Sequence, residues 1–444
     1  MASYDDRVGR PSAIVVDGVF FQHFQDTGIA RVWRSYLHEW VKSGFAERIV
    51  FLERGGSGPR IPGLPTRSVA LWHRSRSAND SLMLQEVCDE EGAALFVSTY
   101  YTTPIGTPSL MLVYDLIPER LGFDASDRIW DEKRLAVEHA SSYVCISENT
   151  RNDLIELEPP ARGKQADVVL PGVDETFAPA SDEEIAAFRS SHDLSLPYFL
   201  VVGERRGFDG YKNVTLLFDA FRAWPAAGDH EIVCVGGQHE LEPELRVAAP
   251  RARARRLSLG DDELRLAYSG AEALVFPSRY EGFGLPVAEA MACGCPVITT
   301  PLASLPEVAG DAAIYVDPDD PVDLRCALDA VREPERRAAM IAAGTARARE
   351  LDWRSSATAF ASQMTAAASA DTAAQRRARE DAWNERRCGR ARKEPARPPR
   401  LSAHVAKLRT HAVRHLPPRV AAPLRALRAS IRRRVGRLRR SFAR

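Results

Sequence analysis

Short apolar runs that alternate with helical patterns are the feature of this sequence that most constrains its fold. Residues 29–40 carry a helical stripe of apolar side chains, and comparable segments separate the apolar runs along most of the chain. Runs that are apolar on both faces predict parallel strands covered by helices on both sides. The predicted strands lie at 13–16, 48–52, 94–97, 110–113, 143–146 and 167–170, and then at 199–202, 232–235, 273–276, 296–299 and 313–316. The sequence therefore predicts an α/β fold with two doubly wound, Rossmann-like domains.

The length of 444 residues exceeds what one hydrophobic core usually serves, which also favours two domains. A polar, helix-forming stretch at 181–193 separates the two series of predicted strands. After the second domain we expect a helix that packs back toward the first. The predicted divisions are a first domain at 1–175, a second at 195–350, this helix at 351–370, a Pro/Arg-rich linker at 371–400 and basic amphipathic helices at 401–444.

The formal net charge of zero conceals two oppositely charged parts. Residues 371–444 contain 23 Lys and Arg against 5 Asp and Glu, whereas residues 1–370 contain 37 against 55. From Leu401 and again from Val420, apolar residues recur at steps of three and four among arginines. A narrow apolar stripe on a cationic helix is typical of a segment that lies on an anionic lipid surface. We therefore expect 401–444 to hold the protein at the cytoplasmic face of a membrane, the alternative being a disordered basic tail.

Composition disfavours several classes of protein. No apolar run approaches the roughly 18 residues of a membrane-spanning helix, and the first residues show no secretory signal. The seven cysteines are scattered without a CxxC or Cys/His array, which indicates reduced thiols in a cytoplasmic protein and no metal site. Nucleic acid is not expected as a partner, because aromatic side chains are not interleaved with the cations of the tail.

The segment PSRYEGFGLPVAEAMACGCPVI, residues 277–298, follows an apolar run and concentrates glycines, prolines and carboxylates. In open parallel sheets, ligands bind beyond the carboxyl ends of the strands. Gly282 and Gly284 would let the backbone approach a ligand closely. Glu281 and Glu289 flank this turn, and a carboxylate is a good acceptor for the paired hydroxyls of a sugar or ribose. The alternative is that both glutamates only stabilise a helix N-terminus.

A second segment, residues 203–213, places the cations Arg205, Arg206 and Lys212 after another predicted strand. Arginine offers a planar fork to phosphate oxygens, and lysine offers a point charge. Such cations suit a ligand that carries phosphate groups. The alternative is a solvated basic turn.

The motif E-G-F-G-L-P-x-x-E-A at residues 281–290 resembles the E-x7-E signature of the retaining family-4 glycosyltransferases, which have the GT-B fold of two Rossmann-like domains facing across a cleft. The likeness covers most of residues 195–320, through LAYSGAEALVFPS upstream and SLPEVAGDAAIYVDPDD downstream. The resemblance implies that Glu289 binds the ribose hydroxyls of a nucleotide and that Glu281 holds the donor sugar. The other donor contacts that it implies are Gly203, Gly282, Phe283, Gly284 and Leu285, with Lys212 and either Arg205, which we favour, or Arg206 at the diphosphate.

The resemblance also implies that the first domain holds the acceptor. Residues 25–31, QDTGIAR, are similar to a glycine-containing loop of the family, which makes Gly28 and Arg31 candidate cleft residues. An ordinary strand-to-helix turn is the alternative. Tyr114 and Asp115 match a segment that usually reads His-Asp-x-x-P, so Asp115 is the expected polar contact to the acceptor or sugar.

Two weaker acceptor-side candidates follow other predicted strands. Ser147 begins SENT, which is similar to the S-E-x-[ST] helix start of the family; we interpret it first as a helix cap and second as a cleft contact. Residues 98–102, STYYT, could present hydroxyl groups to the acceptor.

The function implied is a retaining, metal-independent transfer of a hexose from a nucleotide-diphosphate sugar to a glycan or lipid-linked acceptor, in cell-surface polysaccharide synthesis. No cofactor is expected beyond this co-substrate. Mannose, carried by GDP, is the favoured sugar, and UDP-sugars are the alternative. The other functions considered are a sugar-nucleotide epimerase or phosphorylase with the GT-B fold, and a non-catalytic basic protein that binds a membrane or nucleic acid.

Overall fold

The computed structural model describes residues 13–25, 27–123, 130–205, 210–249 and 252–391. Within a compact unit that ends at Trp383, these residues form two parallel sheets with helices on both faces. The prediction of two doubly wound Rossmann-like domains is therefore confirmed, and we call them the first and second lobes. The basic helices predicted at 401–444 lie outside the described residues.

The sheet of the first lobe has seven parallel strands among the described residues, in the order β3-β2-β1-β4-β5-β6-β7. The strands are β1 (Ala13–Asp17), β2 (Ile49–Arg54), β3 (Thr66–Val69), β4 (Ala93–Ser98), β5 (Ser109–Val113), β6 (Ser142–Cys145) and β7 (Gln165–Val168). Strand β3 was not predicted, because its residues TRSV are too polar to indicate a strand. It pairs only with β2, at the edge of the sheet, so one face of it need not be apolar.

The sheet of the second lobe has six parallel strands among the described residues, in the order β10-β9-β8-β11-β12-β13. The strands are β8 (Tyr198–Val202), β9 (Glu231–Val235), β10 (Arg253–Leu257), β11 (Ala273–Phe276), β12 (Val297–Thr299) and β13 (Ala313–Tyr315). The strand that was not predicted here is β10, RARRL, which is also an edge strand. Arg255 is accommodated there because its Nε donates to Oε2 of Glu231 on the neighbouring strand at 2.5 Å.

Helices connect the strands and cover both sheets. In the first lobe they are α1 (Gly28–Lys42), α2 (Ser77–Glu91), α3 (Ile117–Arg120), α4 (Asp131–His139) and α5 (Glu148–Leu157). The second lobe follows with α6 (Asp182–Ser191), α7 (Thr215–Arg222), α8 (Pro243–Ala248), α9 (Asp261–Ser269), α10 (Leu285–Ala292), α11 (Leu305–Ala309), α12 (Pro321–Ala330) and α13 (Pro334–Glu350). The chain continues through α14 (Trp353–Ala370) and α15 (Ala373–Ala391). No helix among the described residues is both long enough and apolar enough to cross a membrane.

Helix α14 returns from the second lobe and packs on α1 of the first. The Trp40 indole nitrogen donates to the carbonyl oxygen of Ala357 at 3.0 Å, and the hydroxyls of Tyr36 and Ser356 lie 3.1 Å apart. Phe360 is fully buried against the aromatic side chains of α1. This aromatic contact fixes the last long helix of the compact unit to the lobe that begins the chain.

The two connections between the lobes cross each other at a hydrogen-bonded bridge. Val173 pairs with Asp352, and its backbone N–H donates to the carbonyl oxygen of Leu351 at 2.9 Å. A β-carbon on Gly172 would lie 2.3 Å from the backbone nitrogen of Trp353, so only glycine fits at this crossing. We call this pair of connections the hinge.

The prediction of a linker at 371–400 is wrong for residues Ala373–Ala391, because they form helix α15. The segment contains no proline before Pro395 and is rich in helix-forming Ala, Arg and Glu. Arg376 lies 3.1 Å from Glu380 one turn later and also bonds Asp89 of α2 at 2.9 Å. Local pairs of this kind stabilise a helix where composition alone indicated a flexible linker.

Candidate functional site

The glycine turn before α10 is held in one conformation by its neighbours. Gly284 has a φ of +107° and is the N-cap of the helix, a backbone conformation that favours glycine. The Ser304 hydroxyl lies 2.9 Å from the carbonyl oxygen of Glu281 and 2.8 Å from that of Phe283. Because Ser304 is fully buried, its single hydroxyl proton is shared between these two carbonyl oxygens inside the protein. The turn is therefore a rigid platform for the Glu281 side chain.

Gly282 is the point at which the backbones of the two lobes touch. A β-carbon at this position would lie 1.8 Å from the carbonyl oxygen of Tyr114 and 3.1 Å from the β-carbon of Asp115. On the other side, the Thr150 hydroxyl donates to the carbonyl oxygen of Gly282 at 3.2 Å. In this structure the close approach that requires glycine is therefore made by the first lobe.

Glu281 and Lys212 form an ion pair at the carboxyl ends of β8 and β11. The Lys212 ammonium nitrogen lies 2.5 Å from Oε1 of Glu281, and both side chains are largely buried. The ammonium also lies 5.1 Å from the ring centres of Tyr211 and Phe276, so it is attracted by two aromatic faces. Burial alone would lower the pKa of Lys212, but the Glu281 carboxylate outweighs it and leaves that pKa above its usual value. The charged ammonium form of Lys212 is therefore favoured.

Asp115 brings a carboxylate of the first lobe to the same site. Burial raises its pKa, against the opposing effect of the Lys133 ammonium, and the charge of Glu281 adds to the increase. Its Oδ1 accepts from the backbone N–H of Ile117 at 3.1 Å, which fixes the side chain at the start of α3. Asp115 of the first lobe thus lies beside the Gly282 turn, within electrostatic reach of Glu281.

Glu289 is buried one turn into α10 and is bonded on both oxygens. Arg31 of the first lobe donates to Oε1 of Glu289 and also pairs with Asp261. The Tyr268 hydroxyl donates to Oε2 of Glu289 at 2.9 Å. Burial raises the pKa of Glu289, and the charge of Arg31 and the Tyr268 bond act against this increase. The carboxylate predicted to bind ribose is thus held by one partner from each lobe.

The first turns of α1 and α10 face each other across the lobes. A β-carbon on Gly28 would lie 3.5 Å from a methyl carbon of Leu285, and the next turn brings Arg31 to Glu289. The Arg31 guanidinium also lies 5.4 Å from the ring centre of Phe177, just beyond the hinge. The loop before α1 is therefore part of the contact between the lobes.

Arg205 does not have the role predicted for it. Its side chain is fully buried, and its Nε donates to Oε2 of Glu242 at 2.8 Å. Its remaining nitrogens donate to the carbonyl oxygens of Gly236 at 2.6 Å, Gln238 at 3.0 Å and Glu240 at 3.1 Å. With its donors used in this way, Arg205 anchors the loop after β9 and is not placed to bind a diphosphate.

The other two candidates of the 203–213 segment have different outcomes. Gly203 has a φ of +111°, and a β-carbon on Gly236 would lie 3.6 Å from the Gly203 backbone. The turn after β8 therefore favours glycine at this position by itself, independently of ligand binding. Arg206, the second candidate for the diphosphate, lies outside the described residues.

Two acceptor-side candidates direct their side chains into the protein. The hydroxyl of Tyr114 donates to the carbonyl oxygen of Thr99 at 2.9 Å and accepts from the Trp33 indole. Ser147 is the N-cap of α5 and accepts from the backbone N–H of Thr150 at 3.0 Å. The cap interpretation of Ser147 is therefore confirmed, and its interpretation as a cleft contact is wrong. Tyr114 contributes to the site through its backbone carbonyl oxygen, which lies against Gly282.

The hydroxyls of Ser98, Thr99 and Thr102 are also turned inward. Ser98 and Thr102 share a 2.7 Å hydrogen bond, and Thr102 donates in addition to the buried carboxylate of Asp17. The Thr99 hydroxyl accepts from the backbone N–H of Phe20 at 2.9 Å. The suggestion that these hydroxyls contact an acceptor is therefore wrong, because the loop uses them to close on itself.

Three further hydrogen bonds between the lobes were not predicted. The Glu307 carboxylate of α11 accepts from the backbone N–H groups of Glu148 and Asn149 at 2.7 Å each, at the N-terminus of α5. The Tyr280 hydroxyl donates to Oδ2 of Asp153 at 2.6 Å. Ser304 and Glu307 both lie in the downstream segment that carries the family resemblance. This likeness was the signal in the sequence that could have pointed to them. No cluster of His, Cys, Asp and Glu suited to a metal ion occurs in the part of the chain that the structure describes.

Comparison with known proteins agrees with this architecture. Residues 197–333 match the family model described as "Glycosyl transferases group 1". Over 100 residues, 22% of this chain, the sequence is 43% identical to the O-antigen chain mannosyltransferase B of Escherichia coli. Over 126 residues, 28% of this chain, it is 34% identical to the O-antigen chain mannosyltransferase RfbU of Salmonella typhimurium. These matches span 26% and 35% of the relatives' own lengths.

The fold has a close counterpart among solved structures. Anabaena Alr3699/HepE, solved in complex with UDP and glucose, aligns with a TM-score of 0.64 at 15% identity. The alignment covers 80% of this chain and 100% of that one, so the likeness includes both lobes. Residues 197–333 are therefore a glycosyl transferases group 1 domain, and the chain has the GT-B fold.

Proposed function

We propose that the protein transfers a hexose from a nucleotide-diphosphate sugar to a hydroxyl of a glycan or lipid-linked acceptor, with retention of anomeric configuration and without a metal ion. Mannose is the favoured sugar, since the relatives named above are mannosyltransferases of O-antigen chains. The observation that carries the proposal is the Glu281–Lys212 ion pair, which lies in the group 1 domain and adjoins Asp115 of the opposite lobe.

In the proposed complex, the nucleotide ribose hydrogen-bonds to Glu289. Tyr268 and Arg31 orient that carboxylate, since both donate to it. The donor sugar lies over the rigid turn, where Glu281 accepts from its hydroxyls. The backbone of Gly282, Gly284 and their neighbours then faces the sugar and the diphosphate at the start of α10.

Lys212 neutralises the diphosphate as the glycosidic bond breaks. A preorganised cation in a buried site stabilises developing negative charge without reorganising solvent. Because Arg205 is committed to Glu242, we assign the second cationic contact to Arg206. The acceptor hydroxyl attacks from the face that the leaving group vacates, and the departing phosphate oxygen takes its proton. Asp115 orients the acceptor or the sugar from the first lobe.

We further propose that the transfer takes place at the cytoplasmic face of a membrane, where residues 401–444 bind anionic lipid. The sequence of this tail supports the proposal through its arginine content and its apolar steps of three and four. A role in cell-surface polysaccharide synthesis agrees with the O-antigen relatives.

The proposal is tested by measuring release of nucleoside diphosphate from GDP-mannose, UDP-glucose and related donors, with product analysis by NMR. We expect turnover with one donor class, a retained anomeric configuration and no loss of rate in a chelator. An epimerase would interconvert donors without releasing nucleoside diphosphate, and a phosphorylase would require phosphate as a substrate. Either result, or a rate that depends on added metal, would contradict the corresponding part of the proposal.

A further inference from the structure

The outer end of the first sheet carries exposed apolar side chains on two adjoining loops. Phe24, in the loop after β1, is 53% exposed, and Leu71, in the loop after β3, is 60% exposed. Gln22 ties the loops together, because its amide nitrogen donates to the carbonyl oxygen of Trp72 at 2.9 Å and its amide oxygen accepts from the Trp72 N–H at 2.8 Å. The rings of His23 and Trp72 meet edge to face at 5.8 Å. The exposed apolar side chains therefore lie on one surface, which the two loops form together.

Arginines flank these apolar side chains. Arg74 and Arg76 lie in a short 3-10 helix (Arg74–Arg76) directly after the Leu71 loop, and both are exposed. Residues 55–79 contain four arginines and no Asp or Glu. The acidic residue that follows, Asp80, is bonded to the buried Arg54. We call Phe24, Leu71, Trp72, Arg74 and Arg76 the 24/71 surface; it is apolar at its tips and cationic at its border.

The combination of apolar side chains and arginines indicates what kind of partner the surface binds. An exposed apolar patch of this kind marks an interaction site. Leu and Phe tips beside Trp and Arg side chains match the interface of a bilayer, where apolar groups enter the acyl boundary and cations meet anionic head groups. We propose that the 24/71 surface is a membrane-contact surface that inserts Phe24 and Leu71 into an anionic bilayer.

The position of the surface in the sheet agrees with this use. The loops after β1 and β3 leave the same edge of the parallel sheet as Asp115, which follows β5. Four strand spacings separate β3 from β5, or roughly 19 Å at the usual distance between strands. The 24/71 surface and the candidate site thus lie at the same edge of the first sheet. The inference rests on the surface alone and depends neither on the proposed transfer nor on residues 401–444.

A position-specific probe separates this surface from any membrane binding by the tail. In the full chain with Cys326→Ser and Cys388→Ser, Leu71→Cys would be labelled with an environment-sensitive fluorophore. The matched control is Val322→Cys, 51% exposed at the start of α12 in the second lobe. With vesicles of phosphatidylglycerol and phosphatidylcholine, we expect a blue shift and a loss of acrylamide quenching at position 71 and neither change at position 322. Pure phosphatidylcholine vesicles should give a much smaller response.

Several outcomes would overturn the inference. One is a label at position 71 that stays fully quenchable while the protein sediments with anionic vesicles, and another is no sedimentation at all. Protection that appears without vesicles and grows with protein concentration would instead indicate contact between two copies of the chain.

A second set of variants measures the charge contribution. Arg74→Ser and Arg76→Ser should each lower the partition coefficient onto anionic vesicles by roughly fivefold, the effect of one cation near such a surface. Ile155→Ser, at an exposed apolar residue of α5, is the control and should leave it unchanged. Release of nucleoside diphosphate in vesicle-free solution should be the same in all of these variants. Loss of this release in Arg74→Ser or Arg76→Ser, with unchanged partitioning, would contradict the membrane role.

Discussion

The carbonyl oxygen of Tyr114 occupies the space that a β-carbon on Gly282 would need, at a distance of only 1.8 Å. This contact joins the acceptor-side lobe to the turn that carries Glu281. The Gly282 backbone is held in place, because Thr150 bonds its carbonyl oxygen and Ser304 bonds the carbonyl oxygens of the residues on either side. The two lobes can therefore approach this closely at the candidate site because residue 282 has no side chain.

The substitution Gly282→Ala should separate the lobes locally and lower kcat/KM for nucleoside diphosphate release by about 100-fold, the usual cost of a 1 Å misplacement at a reacting centre. The control is Gly228→Ala, where a β-carbon meets no atom within 4 Å. Steady-state kinetics with the preferred donor would check this. Wild-type kinetics in Gly282→Ala would mean that this contact is not part of the active arrangement.

Removing the Lys212 ammonium should lower kcat by about 100- to 1000-fold, the range found when one group that stabilises a developing anion is deleted. Lys212→Met also leaves Glu281 as an unpaired buried charge, so the single variant should lose stability as well. The double variant Lys212→Met/Glu281→Gln removes this charge and should regain stability without regaining activity. Urea denaturation and single-turnover kinetics measure the two effects. Recovery of activity in the double variant would contradict the proposed role of Lys212.

Arg205→Met should destabilise the fold by about 3–5 kcal/mol, because it leaves the buried Glu242 without its ionic partner. The donor KM of the remaining folded protein should change little. Arg206→Met is the matched variant and should show the reverse pattern, with a weakened donor interaction and near-normal stability. Thermal unfolding and kinetics on both proteins would check this. If Arg205→Met raised the donor KM and kept full stability, the structural assignment of Arg205 would be wrong.

Tyr268→Phe should raise the donor KM by roughly 10- to 100-fold, the equivalent of one hydrogen bond to a charged group. The physical reason is that Glu289 loses the donor that orients its Oε2 for ribose. Tyr198→Phe is a matched control, since this buried hydroxyl donates to the carbonyl oxygen of Ala267 instead. Isothermal titration with the nucleoside diphosphate would report the affinity directly. Equal effects of the two substitutions would argue against a specific role for Tyr268.

Asp115 should make the stability of the protein depend on pH. Its pKa is raised on folding, so the folded state holds the proton more tightly than the unfolded state. The stability that this group contributes is therefore lost as pH rises from its unfolded pKa of about 3.9 through its folded pKa. Asp115→Asn has no such proton to lose, so its free energy of unfolding relative to the parent should increase with pH across this window. A difference that does not vary with pH in urea denaturation would contradict this.

The sheets were predictable because most of their strands are apolar on both faces. The turn before α10 was predictable because the motif at residues 281–290 is specific. The edge strands β3 and β10 escaped prediction, since polar or arginine-rich side chains suffice where one face is open. Sequence spacing could not show that Arg205 points into the loop after β9, because this direction is set by Glu242, 37 residues away. Tyr114 and Ser147 illustrate the same limit: the motif located their backbones, whereas packing determined where their hydroxyls point.

The hinge has a consequence for how the protein can take up its substrates. Because Val173 is hydrogen-bonded to Leu351, the outgoing and returning connections form a double-stranded pivot that resists twisting. We expect the lobes to separate by rotation about this pivot, so that the displacement increases with distance from it. Arg31 and Asp261 line the same 620 Å³ groove as Val173 and Asp352, so we expect both residues to move little when the lobes open.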